Sequence, residues 1–426
     1  MQDSVFCPSG SCIICPSRCH RKTKHAIPSQ EALKMLFAGA EFTLLEEDVP
    51  IASALFRVTS RDVFAAVSMP VANGSHHDGI AVNHDHVAEK IKNGSTVLEQ
   101  NEYLLRGMHE VVEPPYDTVI PLEQFEFIKN QVKVSALPGK GGGVILAGSS
   151  FKKGDRMVPK WHRLTPSSLC ILGFAGVETV SVIKKPRAAI IPIGKNIVTG
   201  GHLPGPGQFI EANSLLLSGM IEECGGSAKT MPVIAGDEEA ICAAIMELGN
   251  EYDILFLIGG AGTGGATYHD YTLRAIEKLG KTIVQGTDIG PGGKAHFFAE
   301  INKKPVIGVP GPPHAAITQA ECYFRSIMEQ FLKAPCDERL EVFATVSEEF
   351  ATNVHPMRRA HVRVEWKEDG SLVVHPIRMG DTSDCFVRAN AVLAAEKDTK
   401  PGELVRCILV YDIKTAKQLG EIKEPL

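Results

Sequence analysis

The sequence predicts an α/β multidomain protein: a doubly wound α/β ligand-binding domain, a β-rich domain upstream of it and a small C-terminal β-barrel. Three observations predict this. AAIIPI, DILFLI and KPVIGV are short, nearly continuous apolar runs, as expected of strands buried on both faces of a parallel sheet. Segments of helical periodicity, NSLLLSGMIEECGG and DEEAICAAIMELGN, lie between them. Short alternating runs broken by Gly, Pro and Asn occupy the flanking regions. A chain of 426 residues is also too long for one ordinary core.

The elements follow in order. Residues 1–26 read as a separate Cys-rich appendage, with Cys7, Cys12, Cys15 and Cys19 spaced C-x4-C-x2-C-x3-C before His20 and a basic stretch. Residues 27–57, with 155–186, form an elongated linker domain. SQEALKMLF predicts an amphipathic helix with Ser29 as N-cap and Ala32, Leu33, Leu36 and Phe37 on one face. In the second part, Thr165 and Pro166 stand as N-cap and N1 of another helix. Residues 58–154 read as a small barrel or sandwich. Residues 187–334 are the α/β domain, with Asp237 as an N-cap and Gly225–Gly226 as a helix stop. Residues 335–426 alternate again and predict the closing barrel, with a helix only around Asn390 to Glu396.

Composition excludes several classes. With 44% hydrophobic and 22% charged residues the chain is neither disordered nor a membrane protein. A net charge of -6 provides no basic field for nucleic acid, although a small anionic ligand needs only a local positive site. No apolar run is long enough for a signal peptide or a membrane span, which predicts a cytoplasmic, reduced protein. There the 11 cysteines read as thiols or metal ligands. Cys170, Cys224, Cys242 and Cys322 sit in apolar helical stretches and read as core. The four N-terminal cysteines predict zinc or an iron-sulfur cluster, the alternative being a tail with incidental thiols.

The sharpest local signal is LIGGAGTGGATYHDYTLRAIEKLG, where a buried strand passes through a glycine-rich turn into a helix. Such a turn lets backbone N–H groups approach a phosphate, and the helix N-terminus favours its charge. Gly259, Gly260, Gly262, Gly264 and Gly265, with the Thr263 hydroxyl, are candidates to cradle one; the alternative is a merely tight strand-to-helix turn. Two further turns, DIGPGGKAHFF and VPGPPHAAI, add Pro291, Gly292, Lys294, Pro310, Gly311 and Pro313. Three such turns in one α/β domain are expected to converge on one crevice beyond the carboxyl ends of the strands.

In this order the turns resemble the pterin-binding domain of the molybdopterin molybdenumtransferase family (MoeA and the gephyrin E domain). GGAGTGG, GPGGK and GVPGPP match the family's GG-x-S-x-G-D, KPGKP and GLPGNP-like motifs, and MPVANGSHHDGIAV is similar to PPFDNSAMDGYAV. The segment HRLTPSSLCILGFAGVETVSVIKKPRAAI also matches a family stretch. The resemblance runs from about Ile27 to the end of the chain. It implies a homodimer of four-part subunits that binds adenylated molybdopterin, uses Mg2+ or another divalent cation, inserts molybdate into the dithiolene with loss of AMP, and serves a recipient molybdoenzyme. Asn73, Ser75 and Asp78 would come to the pterin from the facing subunit, and Asp78 and Asp270 fall on acidic family positions suited to a hard cation. Asp78 fits equally an Asx turn before Gly79, and Asp270 a helix cap.

The departures cluster where chemistry is expected. Asn73 stands at the first Asp of DNSAMDG, Gly74 at its Asn, and His76 and His77 at Ala and Met. IGKN replaces TGDE, so Lys195 and Asn196 stand for two acids; His109 stands at a threonine, Gly290 and Gly293 at two lysines, and Pro312 at an Asn. Imidazole is a good ligand for transition metals, but adjacent strand residues point to opposite faces, so His76 and His77 read as hydrogen-bond donors rather than as a joint metal site. These losses leave open a non-catalytic pterin carrier or chaperone, and beyond it a generic nucleotide-binding scaffold.

Overall fold

A computed structural model of the chain describes residues 27–259, 271–290, 292–336, 339–348, 357–377, 389–395 and 399–420. Cys7, Cys12, Cys15, Cys19, Gly260, Gly262, Thr263, Gly264, Gly265, Asp270 and Pro291 lie outside the described residues. Residues 46–183 form one compact unit, and the remainder forms a second.

The second unit is built on a six-stranded sheet. Its strands are β1 (Arg187–Pro192), β2 (Ser227–Thr230), β3 (Ile254–Ile258), β4 (Lys281–Gln285), β5 (Phe297–Ile301) and β6 (Lys304–Val309), in the order β2-β1-β3-β6-β5-β4. The first four neighbours in that order run parallel, and β5 runs against both β6 and β4. The three apolar runs of the sequence are thus the three adjacent parallel strands at the centre.

Helices cover both faces, and the alternation of side chains decides which. Ala188, Ile190, Ile254, Phe256, Ile258, Ile307 and Val309 turn to one face, against α1 (Asn213–Glu223), α4 (Pro313–Leu332) and the helix Ser29–Gly39. Ala189, Ile191, Leu255, Leu257 and Val306 turn to the other, against α2 (Glu238–Glu251) and α3 (Tyr271–Leu279). Asp237 caps α2 through the Ala240 N–H, as its position predicts. The first helix departs from expectation: Pro28 is the cap, its carbonyl takes the Ala32 N–H at 2.9 Å, and Ser29 is a buried helical residue with no capping bond. The fixed φ of proline already supplies the extended entry that a side-chain cap would stabilise.

The C-terminal strands Glu341–Val346, Met357–Trp366, Leu372–Pro376, Ala391–Ala395 and Leu404–Leu409 close on themselves through the pairing of Met357–Trp366 with Ala391–Ala395. This is the expected small barrel, around Val362, Val364, Val374, Leu393 and Leu409. Residues Ala391–Ala395 are a strand and not the expected helix, because ladders on both sides override the helix propensity of alanine. The barrel's helix lies instead at Ile413–Gly420, capped by Asp412.

In the first unit, Thr165 caps the helix Pro166–Phe174, as expected. Two three-stranded sheets share a core of Ile80, Leu98, Ile120, Phe125 and Val132. A helix that the periodicity does not announce, His84–Lys92, is capped by Asn83 and contributes Val87 to that core. Cys224 and Cys242 are buried as expected, Cys322 is half-buried, and Cys170 is exposed because its helix is short and apolar all round.

Burial makes the second unit sensitive to acid. His296 is wholly buried, stacked on Tyr323 at 4.7 Å and edge-on to Phe298, and burial pushes its pKa down to about 3. Burial, then the charge of His314, lowers His361 to about 4. In the unfolded chain each returns to about 6.5, so below that pH the unfolded state binds protons that the folded state refuses. This contribution is complete above pH ~6.5 and is lost as pH falls toward the folded values. His296→Phe is expected to remove about 2 kcal/mol of the stability difference between pH 7 and pH 5, read from urea midpoints at the two pH values.

Candidate ligand-binding site

The parallel register assembles the site. Pro192 pairs with Ile258, and Ile258 with Val309, so β1, β3 and β6 end level and their following turns leave from one edge. Gly259 has φ +87°, and a Cβ there would lie 2.8 Å from the Ile193 carbonyl oxygen, so only glycine turns the chain at this point. Its N–H donates to the Val309 carbonyl at 2.9 Å. Gly259 therefore shapes the turn and spends its own donor on the sheet.

The other two turns meet it. A Cβ built on Gly311 would stand 4.0 Å from Cα of Gly259. One built on Gly292, at φ +91°, would stand 2.9 Å from the Pro310 ring and 2.7 Å from Cβ of Ala315. The expected convergence is present for the parts of the three turns that are described. Pro310 is buried, Pro313 half-buried, and Gly311 exposed at the rim. Lys294 and Lys195 are exposed, following Gly293 and Gly194 at the site's edge, and put positive charge there. The first turn of α4 adds a dipole favourable to an anion. Pro312 and Pro313 carry no N–H, and the N–H groups of Ala315 and Ala316 return to the Pro312 carbonyl. The backbone at Gly311 and His314 is what this helix end can present.

One organising residue escapes sequence reasoning. Asn213, the first residue of α1, is buried, and its amide donates to the Gly311 carbonyl at 2.8 Å. A polar residue opening a helix is an ordinary cap signal, and nothing local shows that it reaches a turn 98 residues away.

In the first unit, the expected ligand residues have structural partners. Asp78 accepts the Met108 N–H at 2.7 Å, a long-range bond in place of the Asx turn considered above. Asn73 accepts the Ala147 N–H at 2.9 Å, and Ser75 is wholly buried with its hydroxyl on the His77 carbonyl. His109 sits at φ +69° in the turn that Asp78 holds, and its N–H bonds the Ser75 carbonyl. His76 and His77 do not point to opposite faces, because the strand ends at Ser75 and the bend brings their rings to 5.7 Å, edge to face. Among the described residues no three His, Cys, Asp or Glu side chains gather to hold a metal. Asp78 alone, with one oxygen committed to a backbone N–H, does not make a cation site by itself.

With this geometry in view, the comparisons are specific. Residues 27–176 match a family model described as the MoeA N-terminal region (domain I and II), and residues 189–330 match one described as "Probable molybdopterin binding domain". The chain carries both of these regions. It is 25% identical over 417 residues, 92% of this chain and 99% of the other, to a Methanocaldococcus jannaschii protein named for molybdopterin biosynthesis. It is 22% identical over 390 residues, 86% of this chain and 90% of the other, to the molybdopterin molybdenumtransferase of Bacillus subtilis. The molybdopterin biosynthesis MoeA protein from Pyrococcus horikosii shares its fold at TM-score 0.78 and 24% identity, covering 90% of this chain and 99% of that one.

Two substitutions test the assembly of the turns. Gly292→Val forces a branched side chain into positive φ and against Pro310, and is expected to cost about 1–3 kcal/mol in chemical denaturation. Asn213→Ala is expected to cost only about 1 kcal/mol, since water reaches Gly311, while increasing hydrogen exchange at residues 311–316.

Proposed function

We infer that the chain is a molybdopterin molybdenumtransferase, which inserts molybdate into adenylated molybdopterin. The observation that carries this reading is the meeting of Gly259, Gly292 and Gly311 at the carboxyl edge of the parallel strands, in a domain matching the molybdopterin-binding model.

In this reading the loop 259–265, including Gly260, Gly262, Thr263 and Gly264, supplies N–H and hydroxyl donors to the ligand's phosphates. Pro291, Gly292 and Lys294 line a second side with positive charge, and Pro310, Gly311 and Pro313 line the third, before the α4 N-terminus. A divalent cation such as Mg2+ would neutralise the phosphoanhydride with few protein oxygens, Asp78 and Asp270 being the candidates, the rest coming from phosphate and water. Asn73 and Asp78 would reach the pterin from the second subunit of a homodimer while also holding the loops at Ala147 and Met108, and Ser75, wholly buried with its hydroxyl on the His77 carbonyl, would shape their turn and not touch the ligand. The subunit is read in four parts, 27–57 with 155–186, 58–154, 187–334 and 335–426, behind a Cys-rich segment whose four thiolates would hold zinc or an iron-sulfur cluster. A cytoplasmic setting fits such a site, and so does transfer to a recipient molybdoenzyme.

The exchange of two family acids for Lys195 and Asn196 favours one second reading, a carrier that holds the finished cofactor without making it. The wild-type protein is expected to bind adenylated molybdopterin and to release AMP when given molybdate, while Gly260→Asp abolishes binding. Binding without AMP release selects the carrier. No binding to the wild type overturns both.

A further inference from the structure

In the first unit a ladder is broken in its middle. Residues 58–60 run antiparallel to residues 181–183: the Ser60 N–H donates to the Ser181 carbonyl at 3.0 Å, the Ile183 N–H to the Val58 carbonyl at 2.8 Å, and Thr59 bridges Val182. The same register carried onward puts Ala66 opposite Ala175, and there the Ala66 N–H donates to the Ala175 carbonyl at 2.9 Å. Between these two ends, residues 61–65 and 176–180 share no main-chain bond. A cleft of about 540 Å³ occupies the interval, lined from both segments by Asp62, Val63, Phe64, Val177, Glu178 and Thr179.

Each segment is drawn away by its other neighbours. The strand Val63–Phe64 pairs with Arg156–Val158, and the Asp62 carboxylate accepts the Lys160 N–H at 2.7 Å. On the far side, the chain leaves the helix Pro166–Phe174 through Gly176 at φ +74°, and the Val177 N–H turns back to the Leu172 carbonyl before the strand Thr179–Ile183 begins. Alternation then decides what faces the opening. Ser60 and Ser181 bond each other across the ladder, while the Ala65 N–H bonds the Asp155 carbonyl on the opposite side. Asp62, Phe64 and Thr179 therefore turn their N–H and C=O groups into the cleft, and none of these groups has a hydrogen-bond partner among the described residues.

We propose that this opening is a docking slot for an extended peptide segment of a partner protein, built of alternating aliphatic and basic residues, which completes the interrupted ladder. Donors and acceptors spaced along two facing strand edges are met on both sides only by another extended main chain. The floor of the slot suits an aliphatic side chain: Val63 and Val180 are buried there with Leu172, and Val177 packs against them. The rim suits a positive one. Glu178 is exposed and has no cation paired with it among the described residues. Asp62 shares its charge with Arg156 at 3.4 Å, and Arg61, the cation of the lining itself, is held by Glu46 at 2.8 Å. Phe64, half exposed beside its own unpaired N–H, offers a ring for the stem of a lysine or arginine to lie on.

The test uses the full-length protein and a blocked five-residue peptide of alternating lysine and valine, with hydrogen exchange resolved to single amides by mass spectrometry. In the free protein the amides of Asp62, Phe64 and Thr179 are expected to exchange faster than those of Ser60, Ala66 and Ile183, which the ladder holds. Saturating peptide is expected to slow the first three about tenfold, and the same peptide with proline at its centre to leave them unchanged. Glu178→Lys, at an exposed position, is expected to abolish protection by the lysine peptide and to confer it on a glutamate–valine peptide. Absence of protection in the wild type overturns the proposal, as does equal protection by the proline peptide or lysine-peptide binding that Glu178→Lys leaves intact. Slow exchange at Asp62, Phe64 and Thr179 that is released on dilution assigns these edges to a second copy of the chain and also overturns it. Because no pterin is present, these outcomes stand apart from the pterin-binding experiment.

Discussion

The register of three parallel strands decides where this protein's three glycine-rich turns meet. Level strand ends put three carboxyl-terminal turns on one edge, and the Gly259 N–H bonded to the Val309 carbonyl ties two of those ends together. A shift of the pairing would invert the faces of Ala188 to Ile191 and separate the turns in one step. Hydrophobic burial on two faces therefore fixes the site's geometry, and no residue of the site has to supply that energy itself.

The meeting of the turns is supported by residues outside them. Asn213 restrains Gly311 from the start of α1, and His296 fills the space between the sheet and Tyr323 with a neutral ring. Both are polar groups in a buried setting, where a partner or loss of charge is required. The barrel joins this support through its strand Met357–Trp366, which pairs with Ile289–Gly290 just before the second turn. Lys195 adds an exposed positive charge at the rim.

Much of this was legible in the residues. The central strands announce themselves because parallel strands covered on both faces must be apolar throughout. Thr165 and Asp237 were readable as caps because capping is local, within three residues. The failures have equally definite causes. Ser29 lost its cap role to Pro28, Ala391–Ala395 yielded helix propensity to two neighbouring ladders, and His84–Lys92 hid because only Val87 of that helix is buried.

By itself the sequence determined the composition of the elements: which runs are buried, where glycine is needed, and which three turns resemble a pterin site. Those are properties of short windows, set by side-chain volume, polarity and backbone freedom. Only the tertiary structure decided that Gly292 abuts Pro310 and that Asn213 serves Gly311. Such pairings join residues far apart along the chain, and chain packing, not local propensity, brings them within reach.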